Sequence, residues 1–495
     1  MKDLLPEILD LIVRRLDISD LRNVRLTDKC LDRVATVHLF HELVLKPTLL
    51  SMQKWRAVLN DTNLRQIPTS VTIWSYRDVD LRLHNDDSPE DMENIDELEE
   101  HDNDSDLGGL ETDEYEARQA RKMARKSAFK KAIASLKGLP RLTKVQLRST
   151  ADVCGTRHRR MYWVDLYEDS AYRLEILTSL FSSIQQHNEV GNSTIQDLTL
   201  RNLQNMSNEA FTSSDAFTDV MSKLAGLHIQ STYEYNDHGP DQDLDKGERQ
   251  SWHPHLLSTW IRPLAGQLKR LSLYDNTNWG LFPGRFDTEG LDFPQLEELS
   301  LGYYTIAHDD QLDWVLRCKT LKALTLHDVM ILSHISIATE HLRTWSVSRA
   351  GWQQIPSPRF PDDPLPSVDG TDNAACCFRY KTKWAYFFDR ISGELPRLTQ
   401  LHVGDSTGHP RADGASIYDI QNRHDVGLNL TLKRYVAFWD EVLPDQWKEA
   451  ELRKDGMIEW ARTKVNPQAE NHDEDSESFQ RLCRVIEGRR ASIGR

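Results

Sequence analysis

Apolar residues along this chain follow two rhythms. Between residues 142 and 403 an L-x-x-L-x-L pattern recurs eight times, as LTKVQL (142–147), IQDLTL (195–200), LAGLHI (224–229), LKRLSL (268–273), LEELSL (296–301), LKALTL (321–326), LRTWSV (342–347) and LTQLHV (398–403). Apolar first, fourth and sixth positions with polar residues between the last two describe short strands with one buried face. Val71-Thr72-Ile73 reads as an earlier strand. A second rhythm, with apolar residues three or four apart, predicts helices at Leu174, Leu177, Leu180, Phe181 and Ile184, and at Leu312, Val315 and Leu316. It also runs through Phe129, Ile133 and Leu136, at the end of a basic stretch.

Four of the seven gaps between successive copies lie between 21 and 29 residues, the spacing of leucine-rich repeats. The longer gaps fit an insertion or a copy too degenerate to see. The expectation is therefore an α/β fold in which the strands form an irregular leucine-rich-repeat horseshoe solenoid, the alternative being an ordinary α/β domain with Leu-rich strands. The outward positions make a polar ladder on the concave face, from which Lys144, Arg148, Arg201, His228, Arg270, Tyr274, Glu298 and His327 are candidate target-binding residues. Arg148, Arg201 and Arg270 would suit an acidic or phosphorylated segment.

The N-terminus follows the helical rhythm in miniature. Pro6 suits a first helical position, and Ile8, Leu9, Ile12 and Leu16 recur on one face, widened by Leu5 and Leu11. Ser19 is a candidate N-cap for a second helix carrying Leu21, Val24 and Leu26, and Asp28 for a third carrying Leu31, Val34 and Leu39. So small a module carries more apolar surface than it can bury alone, which implies a partner.

This segment resembles an F-box, the adaptor-docking motif of substrate receptors in SCF-type cullin–RING ubiquitin ligases. Leu5-Pro6-Glu7-Ile8-Leu9 stands where that family opens, Asp20-Leu21 with Val24-Arg25-Leu26 matches its middle helix, and Leu31, Val34-Ala35 and Leu39-Phe40 fit its end. Thr27 and Asp28 replace the usual apolar-plus-small pair, and Leu31 stands where many members carry Trp. The resemblance implies docking of a Skp-type adaptor, and through it a cullin, by Leu5, Pro6, Ile8, Leu9, Ile12, Leu16, Leu21, Val24, Leu26 and Leu31, with an unknown protein substrate held by the rest of the chain. Two alternatives stay open: helices that merely cap the following domain, and a scaffold that does not deliver substrates for ubiquitination.

Charge locates the remaining boundaries. Of the net −16, all is carried by residues 85–116, which hold sixteen Asp or Glu and no Lys or Arg. Such a run reads as a disordered insertion, with Ser88 and Ser105 as candidate phosphorylation sites. The rest is neutral overall, which argues against nucleic-acid binding. Arg118, Arg121, Lys122, Arg125, Lys126, Lys130 and Lys131 follow the acidic run as a solvated helix face, an import signal or its ionic partner. The predicted organisation is an F-box-like module at 1–45, a linker helix and first strand at 46–84, the acidic insertion, repeats over 117–430, a helical cap at 431–463 and a flexible tail with a short helix at 464–495. A Pro-rich stretch, 351–375, reads as a loop between repeats.

Candidate chemistry is sparse. Six scattered cysteines include no C-x-x-C pair, which argues against a zinc module or a disulfide framework; vicinal Cys376-Cys377 reads as buried structural cysteine or a redox pair. The motifs GxGxxG opening a βαβ unit, GxxxxGK[ST], GxSxG and HExxH are absent. The expectation is a non-enzymatic interaction protein with no cofactor and no metal. Lacking a membrane-length apolar run, and with Asp3, Glu7 and Asp10 interrupting any apolar leader, it is expected to be intracellular, cytoplasmic and/or nuclear.

Overall fold

The computed structural model describes residues 6–76, 112–150, 168–233, 247–282, 284–356, 375–404, 434–440 and 470–493. The chain divides into two compact units, one of residues 1–201 with 209–224 and one of residues 202–208 with 225–495.

The first unit begins with three helices, α1 (Pro6–Val13), α2 (Ile18–Arg25) and α3 (Lys29–Phe40). The cap of α2 is Asp17, whose carboxylate accepts the Asp20 N–H at 2.7 Å, and not Ser19, whose hydroxyl instead donates to that carboxylate at 2.9 Å. Asp28 caps α3 by accepting the Cys30 N–H at 2.7 Å. Strand β1 (Glu42–Leu45), which the alternation had not revealed, leads into α4 (Leu49–Asn60) and β2 (Ser70–Trp74). Next come α5 (Thr112–Ala134), β3 (Lys144–Arg148), α6 (Ser170–Glu189), β4 (Asp197–Gln204), α7 (Glu209–Thr212) and α8 (Asp215–Lys223). Strands β1, β2, β3 and the start of β4 pair in parallel and in register. Val71, Ile73, Val145, Leu147, Leu198 and Leu200 are buried with Phe129 and Ile133 of α5 and Leu180, Phe181 and Ile184 of α6. Glu175 of α6 takes both Lys126 and Lys130 of α5, so these two lysines serve the helix pair.

In the second unit β5 (Gly226–Thr232), α9 (Gly247–His255), β6 (Arg270–Trp279), β7 (Glu298–Ile306), α10 (Asp313–Leu316), β8 (Ala323–His327) and β9 (Met330–Ala338) follow in order. The chain continues through α11 (Thr339–Thr344), β10 (Trp352–Ile355), β11 (Ala375–Tyr380), α12 (Trp384–Glu394), β12 (Gln400–Gly404) and β13 (Tyr435–Trp439), and ends in a helix over His472–Ile493.

The architecture is mixed α/β on a large, mostly parallel sheet, and it is not a leucine-rich-repeat solenoid. A solenoid adds each strand beside the last, whereas here the sheet forks at β7. Residues 298–302 of β7 pair with β8, which pairs with β12, while Thr305 and Ile306 pair with β9. From β9 the pairing turns antiparallel to β11 and then β10, with β13 added in parallel on the other side. All but the last residue of β9 is buried, and its Leu332, Ile335 and Ile337 share a core with Phe282, Phe378 and Phe438. Two faces covered in this way is the environment of an internal strand in an α/β sheet.

Three further expectations are overturned. LRTWSV forms no strand: Leu342, Arg343 and Thr344 lie in α11, with buried Leu342 facing the β9 core. In the predicted helical cap, residues 435–439 are a strand, and 441–463 lie outside the described residues. The tail expected at 464–495 to be flexible with a short helix is instead helical over His472–Ile493, 22 residues. No described helix is long and apolar enough to cross a membrane.

Candidate functional site

Helices α1, α2 and α3 divide their apolar residues between two uses. Leu9, Val13, Leu21, Leu31 and Ala35 are buried in a shared miniature core, flanked by half-buried Leu16, Val24, Val34 and Leu39. Ile8, Leu11, Ile12 and Ile18 remain exposed, and so does Leu26, at 86%, where α2 ends. Nine of the fourteen large hydrophobics left exposed among the described residues lie between Ile8 and Leu50, so the apolar excess is concentrated here rather than scattered. Polar contacts also tie the helices together. Asp10 accepts from His38 of α3 at 2.8 Å and pairs with Arg14 at 2.8 Å. Arg25 pairs with Asp32 at 2.8 Å, which holds the Asp32 carboxyl below its usual range, and stands 5.6 Å from the Phe40 ring centre.

The candidate adaptor residues are therefore of two kinds. Ile8, Ile12 and Leu26 are available to a partner. Leu9, Leu21 and Leu31 are core, and Leu16 and Val24 flank it; their spacing reports the fold of the module, because one helical rhythm serves both faces. Leu5 lies outside the described residues, and Pro6 is the first residue of α1. Ile18, at the start of α2, is a further exposed apolar residue that the spacing had not singled out.

The strand positions expected to form a ladder do align in rows. In the first unit Lys144 is level with Asp197 and Ser70, and Arg148 is level with Trp74 and Arg201. In the second unit Arg270 is level with Glu298, His228 with Ser272, and Tyr274 with Gly302, which is level with His327. His228 Nδ1 and the Ser272 hydroxyl are 2.8 Å apart.

The rows are not uniformly open. Lys144 and Glu298 are exposed and Arg148, His228, Arg270 and His327 half-buried, but Arg201 and Tyr274 are buried, against the expectation that they face solvent. Alternation assigns a residue to a face and is silent about what covers that face. The Tyr274 ring lies across the strand at Gly302, where a Cβ would stand 2.0 Å from a ring carbon, and approaches His327 with ring centres 6.0 Å apart.

Two buried polar nodes, one just past the ends of β2 and β3 and one at the middle of β6, had no sequence signal, since their members are far apart in the chain. In the first unit Glu168 accepts from the Ser75 hydroxyl, from the Thr150 N–H and hydroxyl at 2.8 Å each, and from Arg173 at 3.0 Å. In the second, Asp275 accepts from the Tyr233 hydroxyl at 3.0 Å and lies 3.3 Å from His253 Nε2, with His253 stacked on Trp279. Burial and the Asp275 charge push the Tyr233 hydroxyl pKa well up. With their carboxylates taken up by donors, both nodes read as structural locks.

Among the described residues no group of three or more His, Cys, Asp or Glu is placed to hold a metal ion. Cys376 and Cys377 are buried on β11 as free thiols. Ser88 and Ser105 lie outside the described residues. The chain matches no protein-family model and no curated protein.

Proposed function

We propose that this chain is the substrate-recognition subunit of an SCF-type cullin–RING E3 ubiquitin ligase, with its first three helices docked on a Skp-type adaptor and its sheet holding a target protein. The reading is supported above all by the exposed apolar residues Ile8, Leu11, Ile12, Ile18 and Leu26 on a module that buries Leu9, Val13, Leu21, Leu31 and Ala35 in a core of its own. Large exposed apolar patches mark interaction sites in soluble proteins. Such a receptor needs no catalytic group of its own, because holding a target beside a ubiquitin-loaded partner raises the effective concentration of the reacting groups.

Copurification with a Skp-type adaptor and a cullin tests the proposal. Ile8→Asp with Ile12→Asp should abolish capture of both while leaving the module folded, because the two side chains are 41% and 48% exposed and lie outside its core. Leu9→Asp should instead unfold the module by burying an unpaired charge. Undiminished adaptor capture by a folded Ile8→Asp, Ile12→Asp variant would refute the docking face. Capture of adaptor without cullin would favour the scaffold reading.

A further inference from the structure

We propose that Arg15 sets the specificity of the α1 docking stripe, and that the partner surface closing over α1 is an apolar groove carrying a carboxylate to receive it. This deepens the adaptor-docking function proposed above and rests on it. Helical phase places the residue. At 3.6 residues per turn, positions 8, 11, 12 and 15 fall within about 100° of one another around a helix axis, and Ile8, Leu11, Ile12 and Arg15 are all exposed.

Helix α1 ends at Val13, but its turn runs on. The Arg14 N–H donates to the Asp10 carbonyl at 3.0 Å, the Arg15 N–H to that of Ile12 at 3.1 Å and the Leu16 N–H to that of Val13 at 3.1 Å. Leu16 packs against the core that buries Leu9 and Val13. The inward stripe of residues 9, 13 and 16 therefore keeps its phase, and the outward stripe keeps its own as far as Arg15, about 10 Å along the axis from Ile8. Ile18, exposed at the start of α2, follows three positions later. Arg15 thus has an exposed apolar residue three positions away on either side.

The acidic residues close to it in sequence are turned to other contacts. Asp10 pairs with Arg14 and lies 2.8 Å from His38, while Asp17 caps α2 by accepting the Asp20 N–H. Among the described residues Arg15 makes no ion pair. A partner that buries Ile8, Leu11 and Ile12 takes Arg15 out of water with them. A guanidinium cannot shed its charge there as a lysine can, and an unpaired charge under apolar surface is costly. A carboxylate accepts two parallel N–H bonds from a guanidinium, so that cost becomes selectivity: a merely apolar groove is rejected, and the same groove with an acidic residue opposite Arg15 is accepted.

Titration calorimetry of the full-length protein against a purified Skp-type adaptor tests the inference. Arg15→Gln should weaken binding about tenfold, the loss expected for one charge-assisted contact. Arg15→Glu should weaken it further, and Arg15→Lys should retain more affinity than Arg15→Gln. Arg14→Gln removes the same charge from the neighbouring position, off the stripe, and should bind as wild type does. Added salt should weaken the wild-type complex more steeply than that of Arg15→Gln. Wild-type affinity in a folded Arg15→Gln variant, or an equal loss from Arg14→Gln, would overturn the inference. So would binding to phosphatidylserine–phosphatidylcholine vesicles that depends on Arg15 and exceeds binding to the adaptor, since the stripe would then face a membrane. The two readings fail separately: if Ile8→Asp with Ile12→Asp abolishes binding while the Arg15 variants do not weaken it, docking stands and the acidic contact falls, whereas a wild-type protein that binds no adaptor refutes both. If Arg15→Glu fails to fold, Arg15→Gln decides alone.

Discussion

Gly302 is the position at which one added carbon should do the most damage. A Cβ built there stands 2.0, 2.2 and 2.7 Å from three ring carbons of Tyr274, far inside the separation that any real contact allows. Tyr274 has nowhere to retreat, since it is 2% exposed and packed beside His327. Gly302→Ala therefore forces either the ring or β7 to move by more than an ångström. Overpacking of a rigid interior costs about 1–3 kcal/mol, and a clash this deep belongs at the upper end. For a unit of this size that corresponds to a fall in unfolding midpoint of roughly 6–12 °C. A double-mutant cycle isolates the cause. Tyr274→Ala alone should cost about 3–5 kcal/mol through the cavity it leaves, but in its background Gly302→Ala should cost close to nothing, a coupling of about 3 kcal/mol. Urea denaturation of the four proteins measures every leg. If Gly302→Ala lowers stability equally with and without the Tyr274 ring, the ring is not what Gly302 makes room for.

Two further outcomes follow from buried ionisable groups. Asp475 accepts the Ala385 N–H and the Tyr435 hydroxyl at 2.8 Å each and faces Arg434 at 3.5 Å; Asp475→Ala should cost about 2–5 kcal/mol by orphaning those donors. Hydrogen exchange should then accelerate over 472–493, and unchanged protection there would show that Asp475 does not anchor the C-terminal helix. His334 on β9 is driven down to about 4 by burial, helped by the Arg379 charge. Its unfolded form binds a proton first as pH falls, so stability present above about pH 6.5 should decline by roughly 3 kcal/mol by pH 4. His334→Asn should flatten urea stability over that window, and an identical slope in the variant would rule out His334 as its source.

What could be read from sequence here was local. The period-two alternation located β3 through β8 and β12, because a strand with one buried face must place Leu, Val or Ile at every second position. The 3.6 period located α6, whose Leu180, Phe181 and Ile184 are wholly buried. Asp28 was recognisable as a cap because capping is a contact within three residues.

Everything that depended on distant neighbours was decided by tertiary structure. LxxLxL reports that a strand alternates and is silent on which strand lies beside it, so the fork at β7 and the antiparallel turn at β11 left no mark in the spacing. LRTWSV carries the same letters as its sister copies, yet becomes α11 because Leu342 meets the core formed by β9, β11 and β13. The hydrophobic stretch at 435–439 becomes a strand because β9 offers it an open edge. Arg201 and Tyr274 follow the outward register of the ladder but are buried by what lies over them. Within α1 one rhythm contains both Leu9 and Ile12, and only the placement of α2 and α3 makes the first a core residue and leaves the second exposed.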